Sequence, residues 1–254
     1  MKTCFHITLL AVSIALFFSG CTSVPVSEKT LKASVVGTQG YRDFVPTDPL
    51  PSPLVAYYDS TTGQEVTKAW AMLTNEQTRR LLPILHTDIS VAKRDNSGNL
   101  TYLVAKATAE AGDYRVVMDY AQYRPETVTD DSAARTELGI GRIGIGMRMT
   151  ADIHTNKADI NLGSLFALGI AASTSTLSGQ LSVDIIGIGS ADVGNLMVSN
   201  AKIDETSIQK TLEAMAAIKT KIPDPGTTLT PFILAVKPTK PNTAPSEIKA
   251  RLAR

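Results

Sequence analysis

Two stretches of the chain alternate strictly between apolar residues and polar or small ones. The first covers residues 143–154, and its apolar positions are Ile143, Ile145, Met147, Met149, Ala151 and Ile153. The second covers residues 177–185, with Leu177, Leu181, Val183 and Ile185 on one side. A period of two places successive side chains on opposite faces of a strand. Both stretches are therefore predicted strands with one buried and one solvated face.

A helical period follows Asp204. Apolar residues recur three or four positions apart, at Ile208, Leu212, Met215, Ile218 and Ile222. Asp204 can cap the first turn, and Pro223 and Pro225 stop the pattern. These signals predict an amphipathic helix over residues 205–222.

Weaker patterns predict two shorter helices. Thr74 and Gln77 have the spacing of a capping box, which indicates a helix that carries Leu81, Leu82 and Leu85 and is kinked or begun by Pro83. Residues 160–172 are apolar on every side, and a short buried helix is expected there from Ser164.

The remaining strand signals lie in three segments. Residues 100–108 and 114–123 are rich in aromatic and β-branched residues and are joined at Gly112, so they are predicted to pair as a hairpin. Residues 229–236 are predicted to form a last strand, and Pro231 favours a place at the sheet edge.

These elements predict an α+β fold. An antiparallel sheet should pack its inner face against the helix at 205–222, with one or two shorter helices alongside. The shared core is predicted to contain Ile145, Met147, Met149, Leu181, Val183, Leu212 and Met215.

The N-terminus has the form of an export signal. Lys2 precedes an uncharged apolar run over residues 7–18, which is too short to span a bilayer as a helix. The following Phe18-Ser19-Gly20-Cys21 resembles the lipobox of bacterial lipoproteins, with Phe18 in place of the usual Leu. The resemblance implies cleavage before Cys21 and acylation of its thiol, which would anchor the chain in membrane lipid. Thr22, where an inner-membrane lipoprotein often carries Asp, implies the outer membrane, with the folded part facing the periplasm.

Proline and charge divide the rest of the chain. The predicted segments are a signal peptide over residues 1–20, a lipidated proline-rich tether over 21–53, a single domain over 54–236 and a basic tail over 237–254. The tail contains three prolines, and it has five Lys or Arg residues but only one Glu. It is expected to be solvated, with contact to lipid, glycan or a partner as the alternative.

Composition narrows the possible functions. The 25 Lys and Arg residues nearly balance the 24 Asp and Glu residues, so the chain lacks the basic excess of a general nucleic-acid binder. Cys4 leaves with the signal and Cys21 is acylated. No free thiol is then expected in the mature chain for a disulfide, a metal or catalysis.

The candidate catalytic and binding motifs are weak. Residues 139–144 match G-x-G-x-x-G, but they run into a predicted strand, whereas a dinucleotide site needs a helix after the glycines. His86 is expected to lie at a helix end, and His154 beside Asp152 on a solvated strand face. The pair Asp130 and Asp131 lies in a polar loop. No catalytic residue, metal site or cofactor is predicted.

These observations predict an outer-membrane lipoprotein with a noncatalytic binding, scaffolding or assembly role and an envelope protein as its partner. Two alternatives stay open. The alternating strands are long enough to cross a bilayer when tilted, which allows a subunit of an oligomeric pore or export complex. A periplasmic hydrolase is the second alternative.

Overall fold

Alternating side chains place nearly half of the described chain in strands. The computed structural model describes residues 45–103, 108–195 and 201–254. The strands are β1 (Val45–Pro51), β2 (Leu54–Asp59), β3 (Gln64–Ala69), β4 (Ile84–Arg94), β5 (Leu100–Leu103), β6 (Thr108–Ala109), β7 (Gly112–Thr129), β8 (Glu137–Thr155), β9 (Ile160–Asn161), β10 (Leu177–Ile186), β11 (Ile188–Gly189), β12 (Ala201–Lys202), β13 (Thr228–Leu229) and β14 (Phe232–Pro238). The helices are α1 (Asn75–Leu81), α2 (Leu165–Ser173), α3 (Ala191–Gly194), α4 (Glu205–Lys221) and α5 (Pro245–Leu252), and a 3₁₀ turn covers Trp70–Met72.

One antiparallel sheet organises the fold. Its order is β1-β14-β8-β7-β4-β5. β10 pairs with the same edge of β8 as β14 does, further along that strand, and β12 pairs with β10. The long strands β7 and β8 pair along nearly their whole length, from Gly112 opposite Thr155 to Thr129 opposite Glu137. The remaining strands form two-stranded pairs, β2 with β3, β6 with β9 and β11 with β13.

The predicted α+β class is wrong, because the fold is mostly β. Among the described residues, strands hold 48% and helices about 24%, in five short segments, so the sheet dominates. The helix α4 forms where the period predicted it, and Asp204 accepts from the Ser207 amide in a capping box. It packs mainly against α2, and it meets the sheet mainly at β10. The helix α5 also packs on the sheet, at β14 and β8, so α4 is not the one main cover of the sheet that was predicted.

Six of the seven predicted core residues lie in one core. Ile145, Met147 and Met149 on β8, Leu181 and Val183 on β10, and Met215 on α4 are all buried in it. Leu212 is the exception, since 37% of it is exposed.

The structure supports both shorter helices, with one boundary changed. The Thr74 hydroxyl accepts from the Gln77 amide at 3.2 Å, and the Thr74 amide donates to the Gln77 side chain at 2.8 Å, as a capping box requires. Pro83 follows the end of α1, so Leu85 belongs to β4 instead of the helix. Ser164 caps α2 through the Ala167 amide.

The predicted hairpin of residues 100–108 with 114–123 is wrong. β5 pairs with β4, from Val91 opposite Leu103 to Arg94 opposite Leu100. β7 pairs with β4 on one side and β8 on the other. β5 and β7 both run antiparallel to β4, so they are parallel to each other, and the turn residues at Gly112 do not join them as a hairpin.

The proline-rich strand at the sheet edge is β1 and not the predicted 229–236 segment. β14 lies between β1 and β8, and Pro231 precedes it. Residues 45–51 of the predicted tether form β1, in which the three prolines lack amide donors and so suit an edge strand. The predicted signal peptide, Cys21 and tether residues 22–44 lie outside the described residues.

The predicted solvated tail is part of the fold. Pro245 begins α5 at a first-turn position, where its missing amide costs no hydrogen bond, and Ile248 is fully buried. A Cβ at Gly139 would overlap Ile248, and one at Gly141 would overlap Leu252, so two glycines of β8 make room for this helix. The Lys249 ammonium donates to the Asp48 carbonyl on β1.

Candidate functional site

Cross-strand ion pairs occupy the polar face of the sheet. Asp152 on β8 accepts from Arg115 on β7 through two bonds of 2.8 Å, and from Arg94 on β4 at 2.9 Å. Asp152 therefore joins β4, β7 and β8. The sequence suggested His154 as its neighbour on the polar face, but Asp152 pairs with these two arginines instead.

A second ion pair lies further along the same two strands. The guanidinium of Arg148 donates to both carboxylate oxygens of Asp119, at 2.7 and 2.9 Å, in the two-pronged geometry that makes such pairs strong. Arg148 also donates to the Thr47 carbonyl at 2.9 Å, which ties β1 to this face. Burial raises the pKa of nearby Tyr102 to about 12, although the Arg148 charge favours the phenolate.

A small cleft opens beside this second pair. Strands β4, β7, β8, β10 and β14 supply its walls. The polar residues that line it are His86, Asp119, Tyr120, Arg142 and Arg148, and the others are Ala121, Gly146, Met147, Ile186, Leu234 and Ala235. His86 therefore lies on β4 and not at a helix end as predicted.

The Tyr123 ring orders two groups of the cleft. The His86 ring meets it edge-on, with centroids 6.4 Å apart, and the Arg142 guanidinium lies 4.7 Å from its centroid in a cation–π contact. Arg142 is 91% buried, since its exposed fraction is 9%. The Nε2 atom of His86 is buried and has no hydrogen-bond partner among the described residues. The cleft thus combines a held cation with an imidazole nitrogen whose hydrogen-bonding capacity is unused.

His154 lies at the far end of the polar face. Its Nδ1 is 2.8 Å from Asp113 and its Nε2 is 2.9 Å from Asn156. The Asp113 hydrogen bond, followed by that of Asn156, raises the pKa of His154 above its ordinary value of 6.5. The imidazolium form is therefore favoured by a partner on β7 that the sequence did not reveal.

The other sequence motifs have structural roles. The glycine-rich residues 139–144 lie within β8, as the strand interpretation predicted. Asp130 accepts from Ser132 and Thr136 amides in the turn between β7 and β8, and Asp131 pairs with Arg251 at 3.0 Å. Within residues 45–103, 108–195 and 201–254, no group of three or more His, Cys, Asp or Glu side chains could hold a metal ion.

Sequence reasoning did not single out Asp119, Tyr123, Arg142 or Arg148. Arg148 did fall on the polar row of the predicted 143–153 strand. Its link to Asp119 depends on the register of β7 against β8, in which the two residues are directly opposite. Local periodicity carries no information on that register, so the cleft could not be assembled from it.

Comparison with known proteins adds no relative to this description. No protein-family model matches the chain, and neither curated proteins nor solved structures gave a match. None of the described helices is both long and apolar enough to cross a membrane.

Proposed function

We propose that the chain is an outer-membrane lipoprotein, anchored by acylated Cys21, with a noncatalytic role in binding a protein partner in the cell envelope. The anchor is proposed from the lipobox-like residues before Cys21. Two or three acyl chains hold a protein firmly at a membrane, whereas one binds marginally. The folded part then remains available for binding in the periplasm.

Exposed apolar side chains are the observation that carries the binding role. Five of the large hydrophobic residues that are exposed fall within residues 54–85: Leu54 (46%), Tyr58 (63%), Met72 (77%), Ile84 (37%) and Leu85 (54%). Ile84 pairs with Tyr123, and the next residue, Arg124, donates to the Ala56 carbonyl of the β2–β3 hairpin, so β7 joins the two parts of this surface. Exposed apolar side chains that gather into one patch are typical of protein interaction sites, and the proposal requires these residues to contribute to such a patch.

The polar face favours a noncatalytic role over hydrolysis. Asp119 and Asp152 are held by arginines in bonds of 2.7 to 2.9 Å. Both carboxylates are thus engaged by guanidinium groups of neighbouring strands, in the paired geometry that makes such contacts strong. The two carboxylates therefore serve to hold neighbouring strands together.

Cys21→Ser is expected to abolish acylation, because serine lacks the thiol that receives the lipid. The variant should leave the membrane fraction or accumulate as an uncleaved precursor. Mass spectrometry of the mature N-terminal peptide measures this directly. Cys4→Ser is the matched control and should keep the lipid, since Cys4 lies in the predicted signal. A mature peptide that is unmodified, or that begins elsewhere than Cys21, would contradict the anchor.

A photo-crosslinking amino acid in place of Met72 is expected to trap a protein partner in intact cells, because Met72 has the most exposed apolar side chain of this surface. Ser178, an exposed residue of β10, is the control position and should not give the same product. Adding Leu54→Glu and Leu85→Glu should remove the Met72 product by placing charge in the apolar contact. Identical products from both positions would argue against a binding surface at 54–85.

A further inference from the structure

We propose that the free edge of β3 binds an extended segment of the protein partner, which adds to the β2–β3 hairpin as a third strand. This inference rests on the proposed binding role and names the form in which the partner is recognised. β3 pairs with β2, which is its only strand neighbour among the described residues. Its other edge is therefore open to a strand from another chain.

The backbone bonds of the hairpin show which groups point out from that edge. The Trp70 amide donates to the Pro53 carbonyl at 3.3 Å, in register with the pairing of β2 and β3. In an antiparallel pair, residues bonded to the neighbouring strand alternate with residues that are not. The amides and carbonyls of Glu65 and Thr67 therefore point away from β2, and so does the Ala69 amide.

The two strands of the hairpin differ in how these outward groups are satisfied. On β2, the outward Ala56 carbonyl accepts from the Arg124 side chain at 3.1 Å. On β3, the outward groups of Glu65, Thr67 and Ala69 named above have no hydrogen-bond partner in the part of the chain that the structure describes. Because these donors and acceptors recur at every second residue, an added strand can satisfy all of them together.

Proline protects one edge of the main sheet but does not protect β3. The edge strand β1 contains three prolines, which lack the amides that a further strand would need. β3 contains no proline. Its one lysine, Lys68, is folded back onto the hairpin, with its ammonium 3.6 Å from the Asp59 carboxylate and 5.0 Å from the centroid of the Tyr57 ring. The edge of β3 is therefore left accessible.

The side chains beside this edge favour a strand with an apolar and a basic position. Leu54 and Tyr58 of the proposed binding surface lie opposite Ala69 and Glu65, so they share one face of the hairpin. Glu65 is exposed and has no ion pair within residues 45–103, 108–195 and 201–254. A partner strand is therefore favoured if it places an apolar residue beside Ala69 and a basic one beside Glu65. A second copy of β3 centred on Thr67 would leave the Glu65 charge opposite Ala69 and unpaired.

The probe is the peptide acetyl-Ser-Val-Thr-Thr-Val-Lys-Ser-amide. Antiparallel to β3, it places its first valine opposite Ala69, its second threonine opposite Thr67 and its lysine opposite Glu65. Amide hydrogen exchange is followed by NMR in the detergent-solubilised full-length protein. At a peptide concentration ten times the dissociation constant, exchange at Glu65 and Thr67 should slow about tenfold, because their amides become bonded. The amides of Val66 and Lys68, which already point toward β2, should change little.

N-methylation of the peptide tests the hydrogen bonds themselves. A methyl group on the nitrogen of the second threonine, which donates to Thr67, should weaken binding about tenfold or more. A methyl group on the nitrogen of the first threonine, which points away from β3, is the matched control and should leave the affinity nearly unchanged. Equal affinities of the two methylated peptides would overturn the proposal.

Thr67→Pro tests the same edge from the side of the protein. The proline removes an amide that points away from β2, so the hairpin should still form, and slow exchange at Val66 and Lys68 checks this. The variant should bind the peptide about tenfold or more weakly than the parent. Ala191→Pro, at the exposed first position of α3, where a missing amide costs no helix bond, should bind it like the parent. Unchanged peptide affinity in Thr67→Pro with an intact hairpin would contradict the proposal.

Self-association gives a different result from binding of a partner strand. Slow exchange at Glu65 and Thr67 without peptide, becoming slower as the protein concentration rises, would assign the edge to a second copy of the chain and overturn the proposal. Because the titration needs no partner protein, its failure leaves the Met72 crosslinking result intact. Absence of a Met72 product likewise leaves the peptide result intact, so the two proposals fail separately.

Discussion

Val183→Arg is expected to unfold the domain. Val183 is 3% exposed and pairs with Met149, which is fully buried on β8. An arginine there would place an unpaired charge in the core, and we expect a loss of about 4 kcal/mol or more in the free energy of unfolding. That is most of the stability of an ordinary domain. Circular dichroism of the detergent-solubilised protein during thermal and urea unfolding measures the loss.

The same substitution separates the proposed binding role from a pore subunit. Ser178→Arg, on the exposed face of the same strand, is the control and should change stability by less than about 0.5 kcal/mol. In a pore subunit the apolar row faces lipid. Val183→Arg would then leave a folded protein that no longer raises the conductance of liposomes, beside a parent that does. Observing both would favour the pore over the role proposed here.

Local sequence signals predicted those strands and helices whose buried side follows from their own residue pattern. The alternation at 143–153 marked part of β8, and that at 177–185 marked β10. Asp204 and Ser164 marked helix starts through cap bonds that involve only residues three positions away. Such contacts are fixed by neighbours in the chain, which is why they can be inferred without knowing the fold.

The errors arise where contacts between residues far apart in the sequence determine which side chains are buried. Leu212 follows the helical period of α4, yet it remains partly exposed, because α4 packs mainly against α2 and leaves that position at the margin of the contact. Residues 245–252 contain few apolar residues, and Ile248 and Leu252 of their helix pack on β8 where Gly139 and Gly141 leave space. Neither fact is encoded near the residue concerned.

The candidate site shows the same division. Arg148 was predictable as a residue of a polar strand face, whereas its contact with Asp119, 29 positions earlier, requires the β7–β8 register. Arg94 reaches Asp152 across 58 positions. A single shifted residue in a strand pair would move every one of these side chains to the other face. The identities of the charged residues were visible in the sequence, but their partners were not.

Gly144→Ala is expected to disrupt the central strand pair. A Cβ at Gly144 would overlap the Gln122 carbonyl oxygen and lie 2.7 Å from the Cα of Tyr123, and both atoms belong to the backbone of β7. Backbone cannot rotate away as a side chain can, so β7 and β8 must separate locally. We expect a loss of about 3 kcal/mol, at the upper end of the cost of overpacking.

Gly194→Ala provides the matched control for Gly144→Ala, since a Cβ at Gly194 meets nothing within 4 Å. It should leave the unfolding midpoint in urea nearly unchanged, whereas Gly144→Ala should lower it with little change in slope. Because Tyr123 contacts His86 and Arg142, displacement of β7 should also shift the NMR signals of the His86 ring. If Gly144→Ala and Gly194→Ala unfold at the same urea concentration, the close approach of β7 to β8 at Gly144 is wrong, and so is the cleft geometry that depends on it.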